Sequence, residues 1–182
     1  MTARQSLPRL WLMTDERQGE MLWTALDRLP RRSGIVFRHY SLGPSERRLL
    51  FEQVRAVARR RGHLLLLGGN ASTARAWRAN GSHGPGRGIG LRTAPAHNIV
   101  ELRAGERSGA ALLFVSPVFA TRSHPGAPPL GRAAFHRLVA ATRLPVIALG
   151  GMDARRARGL RGLSGWAAID AWSGQKRNAV PT

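Results

Sequence analysis

Eight short strand candidates, most of them apolar runs, separated by helix-length amphipathic stretches, constrain this chain more than any other feature of its sequence. They are Leu10–Thr14, Gly34–His39, His63–Leu67, Ser82–His83, Gly88–Leu91, Ala111–Ser116, Pro145–Leu149 and Gly165–Ile169. Most are continuously apolar rather than alternating, the pattern of parallel strands covered on both faces. Between them, Glu20–Leu29, Ser45–Arg61, Ser72–Ala79, Asn98–Ser108, Arg132–Thr142 and Asp153–Leu163 complete the alternation as helix-like segments. Ser45, Ser72 and Asp153 stand where N-caps belong. Repeated strand–helix units imply a parallel sheet with right-handed crossovers. Eight strands can close into a (β/α)8 barrel, with an open doubly wound sheet as the alternative. The chain has 182 residues, whereas such barrels usually need roughly 200 or more. The shortage shows as a tiny fourth strand and a missing last helix after Trp172. The expected organisation is one slightly truncated TIM barrel over residues 1–172 and a flexible tail over 173–182.

Composition narrows the function classes. The chain has no cysteine, which excludes disulfides and thiolate metal sites. No apolar run reaches the about 18 residues of a membrane span, and the broken apolar stretch around Leu10–Met13 is too short for a signal-peptide core. A soluble, cytoplasmic protein is expected. The formal charge of +19 invites nucleic acid, but Lys176 is the only lysine and the arginines are scattered along helices. Aromatic residues are not interleaved with the basic runs as stacking platforms would require. Nucleic acid is therefore not the expected partner; small phosphorylated substrates suit a basic surface equally well. The sequence leaves the oligomeric state open, a homo-oligomer included.

In a barrel, chemistry gathers where strands end. Those positions hold Thr14, Asp15 and Arg17; Arg38, His39 and Tyr40; Gly68, Gly69 and Asn70; His83; Ser116 and Pro117; Gly150 and Gly151; and Ile169 and Asp170. Gly150–Gly151 ahead of a helix suits a phosphate, since bare backbone N–H groups meet the positive helix end; the bland alternative is a tight turn. The loop Val118–Leu130 is long and bounded by Pro and Gly. Its Thr121, Arg122, Ser123 and His124 bring hydroxyls, a guanidinium and an imidazole together, a set suited to an anion. A plain solvated loop is the other reading. The histidines show no metal-binding spacing, and neither a GxGxxG fingerprint nor a Ser–His–Asp triad is present.

The segment Ser116–Gly131, SPVFATRSHPGAPPLG, resembles the G-P-V-F-x-T-x-T-K-P-G-x-x-x-G element of thiamine phosphate synthases and their TenI-type relatives. Leu144–Met152, LPVIALGGM, resembles the family's P-V-V-A-I-G-G-I, and Gly165–Ala171, GWAAIDA, its G-V-A-V-V-S-A. Leu10–Asp15, Ala79–His83 and Ile89–Gly90 are similar to further family elements. The resemblance implies a barrel that joins hydroxymethylpyrimidine diphosphate to a thiazole phosphate, releasing pyrophosphate, with Mg²⁺ on the diphosphate. It implies that Arg38 and His124 serve catalysis, and that Thr121, Arg122, Ser123, Gly150, Gly151, Ile169, Asp170 and His83 surround the substrates.

The departures fall at the same positions. Val36 and Tyr40 replace the Gln and Lys that flank the family's arginine, and Gly68–Gly69 replaces an Asn–Asp pair that holds pyrimidine and metal. Gly84–Gly88 contains no second metal-binding Asp. His124 replaces a lysine and Asp170 a phosphate-holding serine, while Pro117 stands where the tautomerase branch has its histidine. Mg²⁺ is thus implied by the family while its ligands are missing. Two functions follow: a synthase working through arginines and His124, or a non-catalytic barrel that binds a thiazole-phosphate-like ligand.

Overall fold

The computed structural model describes residues 7–88, 90–121 and 128–173. Its strands are β1 Leu10–Met13, β2 Gly34–Phe37, β3 Leu64–Gly68, β4 Gly81–His83, β5 Leu91–Ala96, β6 Leu112–Val115, β7 Val146–Ala148 and β8 Gly165–Ala168. They pair in parallel in chain order, and β8 returns to β1, so the sheet is a closed barrel. Six α-helices lie outside it among the described residues: α1 Met21–Arg28, α2 Pro44–Arg61, α3 Ala71–Ala76, α4 Ile99–Arg107, α5 Gly131–Ala140 and α6 Ala154–Arg158.

The strand alternation splits the core into three parts. Trp11, Met13, Val36, Leu66, Leu112, Phe114, Ile147, Ala167 and Ile169 fill the interior. The outward residues of β1–β3 pack under α1–α3, and those of β5–β8 under α4–α6. Trp11 dominates the lower interior. It is fully buried, meets Phe114 edge-on at 5.2 Å, and donates from Nε1 to the Pro8 carbonyl at 2.7 Å. Gly34, opposite it in register, makes room: a Cβ there would lie 2.1 Å from the Trp11 ring.

Two stretches of the outer wall lack a helix among the described residues, and each is closed differently. At β8–β1, Trp172 stacks on Trp166 at 4.9 Å, donates to the Trp11 carbonyl and touches both outer clusters. At the β4–β5 crossover the closure is polar. Arg92, outward on β5 and only 3% exposed, donates to the carbonyls of Gly86 and of Ser108 at the end of α4. A guanidinium among carbonyls, one of them at the negative end of a helix, is well compensated.

The structure corrects several expectations. The fifth strand is Leu91–Ala96 rather than Gly88–Leu91, because Arg92 and Pro95 interrupt its apolar pattern without ending it. Pro95 is tolerated since β4 stops at His83, opposite Thr93, so no β4 ladder bond needs an N–H at 95. Asp153 caps α6 as expected, but Asn70 rather than Ser72 caps α3, and α2 begins at Pro44 with Gly43 as its cap. Helix α6 stops at Arg158, ahead of Gly159. Ser173, expected in the tail, is buried and closes a turn onto the Asp170 carbonyl.

Candidate active site

The C-terminal ends of β1 and β2 lie side by side and knot their polar residues together. Arg38 donates from Nε to the Thr14 carbonyl at 2.8 Å and from Nη2 to Asp15 Oδ2 at 2.9 Å. Thr14 Oγ1 accepts from the Arg38 N–H and lies 3.0 Å from His39 Nδ1. Asp15 also binds the Arg17 guanidinium at 2.6 Å and, with Gln18, closes a capping box on the short 3-10 turn Glu16–Gln18. Burial would raise the Asp15 carboxyl, but bonds from Arg17 and the charges of Arg17 and Arg38 outweigh it and hold the group below the usual carboxylate range. Burial pulls the Arg38 guanidinium down while Asp15 opposes that shift.

Next along the rim, His83 at the end of β4 is buried, 2.9 Å from Thr93 Oγ1 and edge-on to Phe114 at 5.0 Å. Burial, aided by the Arg38 charge, lowers its pKa to about 3, and burial with the Arg61 charge lowers that of His63 to about 4. Both rings are therefore neutral in the folded protein at pH 5 but largely protonated in the unfolded chain, whose histidines titrate near 6.5. The unfolded state binds more protons, so stability should fall as pH drops below about 6.5, by up to roughly 1.4 kcal/mol per pH unit for each histidine. Urea denaturation at pH 7 and pH 5 checks this, with His83→Asn expected to flatten its share of the slope.

Across the barrel, Gly150 and Gly151 follow β7 with φ of 91° and 60°. Cβ atoms there would lie 2.6 Å from Pro117 Cα and 2.5 Å from the Ala120 carbonyl, so glycine lets the β7 loop press against the β6 loop. Among the described residues the Gly150 and Gly151 N–H groups donate to no backbone carbonyl. Arg156 Nη1 donates to the Gly151 carbonyl at 2.5 Å, and its guanidinium lies 4.9 Å from the Phe119 ring centre.

The structure thus puts Arg38, His83, Gly150, Gly151, Ile169 and Asp170 at or just past the strand ends of one rim and Thr121 in the loop after β6, while Arg122, Ser123 and His124 lie outside the described residues. Asp170 sits near enough to Arg17 to act on its charge, and the Ile169 carbonyl accepts from Gln18 Nε2 at 3.0 Å. Sequence reasoning overlooked Arg47, which reads only as a first-turn helix residue. From α2 it donates to the carbonyls of Arg38 and Gly68 at 3.0 and 2.8 Å, with its guanidinium packed over Phe37, Tyr40 and Trp77. A cavity of about 810 Å³ opens at the opposite mouth, between Leu7, Arg9, Arg32, Leu64, Asn80 and Leu91. That end of a barrel serves stability, and the groups suited to chemistry collect at the other.

Comparison with known proteins decides the family. The sequence pattern described as thiamine monophosphate synthase matches residues 12–172. The chain belongs to that family. It is 32% identical over 187 residues to the thiamine-phosphate synthase of Chlorobium luteolum, covering 90% of this chain and 84% of that one. It is 30% identical over 160 residues to an Aquifex aeolicus protein named "Putative thiamine-phosphate synthase 2", covering 80% and 86%. The solved thiamine phosphate pyrophosphorylase of Pyrococcus furiosus superposes with a TM-score of 0.77 at 23% identity, over 92% of this chain and 88% of that chain, and so shares the fold.

The Mg²⁺ implied by the thiamine monophosphate synthase family does not fit the residues present. Gly68–Gly69 and the β4 loop supply no carboxylate, and Asp15 is neutralised by two guanidiniums. Among the described residues no three of His, Cys, Asp and Glu converge. Nor, among them, is any helix long and apolar enough to cross a membrane.

Proposed function

We propose that the chain joins hydroxymethylpyrimidine diphosphate to a thiazole phosphate, slowly and without Mg²⁺. The observation that carries this reading is the Gly150–Gly151 turn after β7, whose left-handed glycines have N–H groups that donate to no backbone carbonyl among the described residues. In the reaction the methylene–oxygen bond breaks and its electron pair leaves on pyrophosphate. The thiazole nitrogen supplies the pair for the new carbon–nitrogen bond. Negative charge grows on the leaving group, where a fixed cation stabilises it most. Arg38 fills that role, with Arg122 from the β6 loop and with His124 only to the extent that it is protonated, while the glycine turn holds the thiazole phosphate.

A second reading, a barrel that binds a thiazole phosphate without condensing anything, is favoured by the ion pair of Arg38 with Asp15, which already engages the guanidinium. Both readings expect thiazole phosphate at millimolar concentration to raise the melting temperature, because it binds only the folded state. Gly151→Val should abolish that shift and lower the starting temperature, since its side chain would meet the Ala120 carbonyl. No shift in the parent protein would exclude both; a shift without product would leave the second.

A further inference from the structure

We infer that Tyr40 is a specificity-determining residue, its hydroxyl delivering to the ligand from β2 the polar contact that β3 cannot make through Gly68. This rests on the substrate pair proposed above. Gly68 ends β3 in register with His83, so a side chain there would point into the barrel mouth. That space is taken. The Tyr40 Oη lies 2.4 Å, and its Cζ 3.0 Å, from where a Cβ of Gly68 would be. The tyrosine therefore needs a glycine beneath it, and the loop after β2 and the end of β3 hold a matched pair.

The placement is held from behind. Arg47 lies 5.3 Å from the centre of the Tyr40 ring while donating to the carbonyls of Arg38 and Gly68. A cation over the ring fixes its orientation without using its hydroxyl. Tyr40 as a residue is 60% exposed, so a ligand can reach it. The hydroxyl makes no hydrogen bond among the described residues. Burial of that end raises the phenol pKa although Arg38 and Arg47 oppose it, so the group stays a neutral donor. A preset, unspent O–H beside the Arg38 charge suits a ligand that joins an anionic group to a ring bearing a hydrogen-bond acceptor. Pyrimidine nitrogens and a diphosphate meet that description.

Calorimetric titration with hydroxymethylpyrimidine diphosphate and with inorganic pyrophosphate tests this in the parent and in Tyr40→Phe. The parent should bind both. The variant should bind the pyrimidine diphosphate about tenfold more weakly, the worth of one hydrogen bond to a neutral donor, and pyrophosphate equally well. Equal affinity of parent and variant for the pyrimidine compound overturns the role of Tyr40 while leaving the proposed reaction standing. Equal weakening for both ligands also overturns it, since the contact would then not be to the ring. A parent that fails to bind the pyrimidine diphosphate overturns the reaction and this inference with it. The pairing has its own readout: Gly68→Ala should lower the melting temperature in the parent and have a much smaller effect in Tyr40→Ala.

Discussion

Condensation by this chain should run about ten-thousandfold slower than by a relative that keeps the Asn–Asp pair and the loop lysine, and EDTA should not change it. Removing one preorganised charge contact from a transition state costs roughly 3 kcal/mol, about a hundredfold in rate. Here two sets are replaced: Gly68–Gly69 stand at the end of β3, and His124 stands for the lysine. At neutral pH an ordinary histidine is mostly uncharged and adds little. A coupled assay with both substrates, in Mg²⁺ and in EDTA, checks both halves of the expectation. Fast, Mg²⁺-dependent product formation would mean that other carboxylates, Asp15 or Asp170, hold the metal after all.

The largest effect on stability is expected at Trp11. Trp11→Ala should cost about 3–5 kcal/mol and lower the melting temperature by roughly 10 °C or more. Its ring is fully buried, fills the lower barrel and forms the edge-on contact with Phe114. Gly34→Ala should also destabilise the parent, because the added methyl runs into that ring, yet should regain part of the loss when Trp11 is already Ala. Urea unfolding of the two single variants and the double variant measures the coupling. Additive losses would show that the tryptophan and the glycine are not partners.

The barrel and its strand order were legible because most buried parallel strands write themselves as uninterrupted apolar runs, and seven of the eight lie close to where the candidates fall. The fifth escaped for a definable reason. Its outward Arg92 is buried by hydrogen bonds rather than by apolar contact, and its Pro95 lies beyond the end of its short neighbour; neither circumstance is visible until β4 is in place. The rim was legible in the same measure. Strand ends could be named, so Arg38, His83 and the Gly150–Gly151 turn could be placed on the rim. The contacts between strand ends, Thr14 with His39 and Tyr40 with Gly68, join residues 25 and 28 positions apart and follow only from closure and register. Arg47 gave no signal, because a first-turn arginine on an amphipathic helix resembles every other solvated arginine.

Arg92 sets the thermal character of one corner of the molecule. Where a helix covers a barrel strand, its grip comes from buried apolar area, which loosens on cooling as the entropic drive of water weakens. Between β4 and β5 that grip is exchanged for a few directional bonds from one planar cation to two carbonyls. Such a clasp exposes little apolar surface when it opens and so carries little heat capacity. Cold should therefore slacken the helix-clad flanks of this barrel before it slackens the β4–β5 corner.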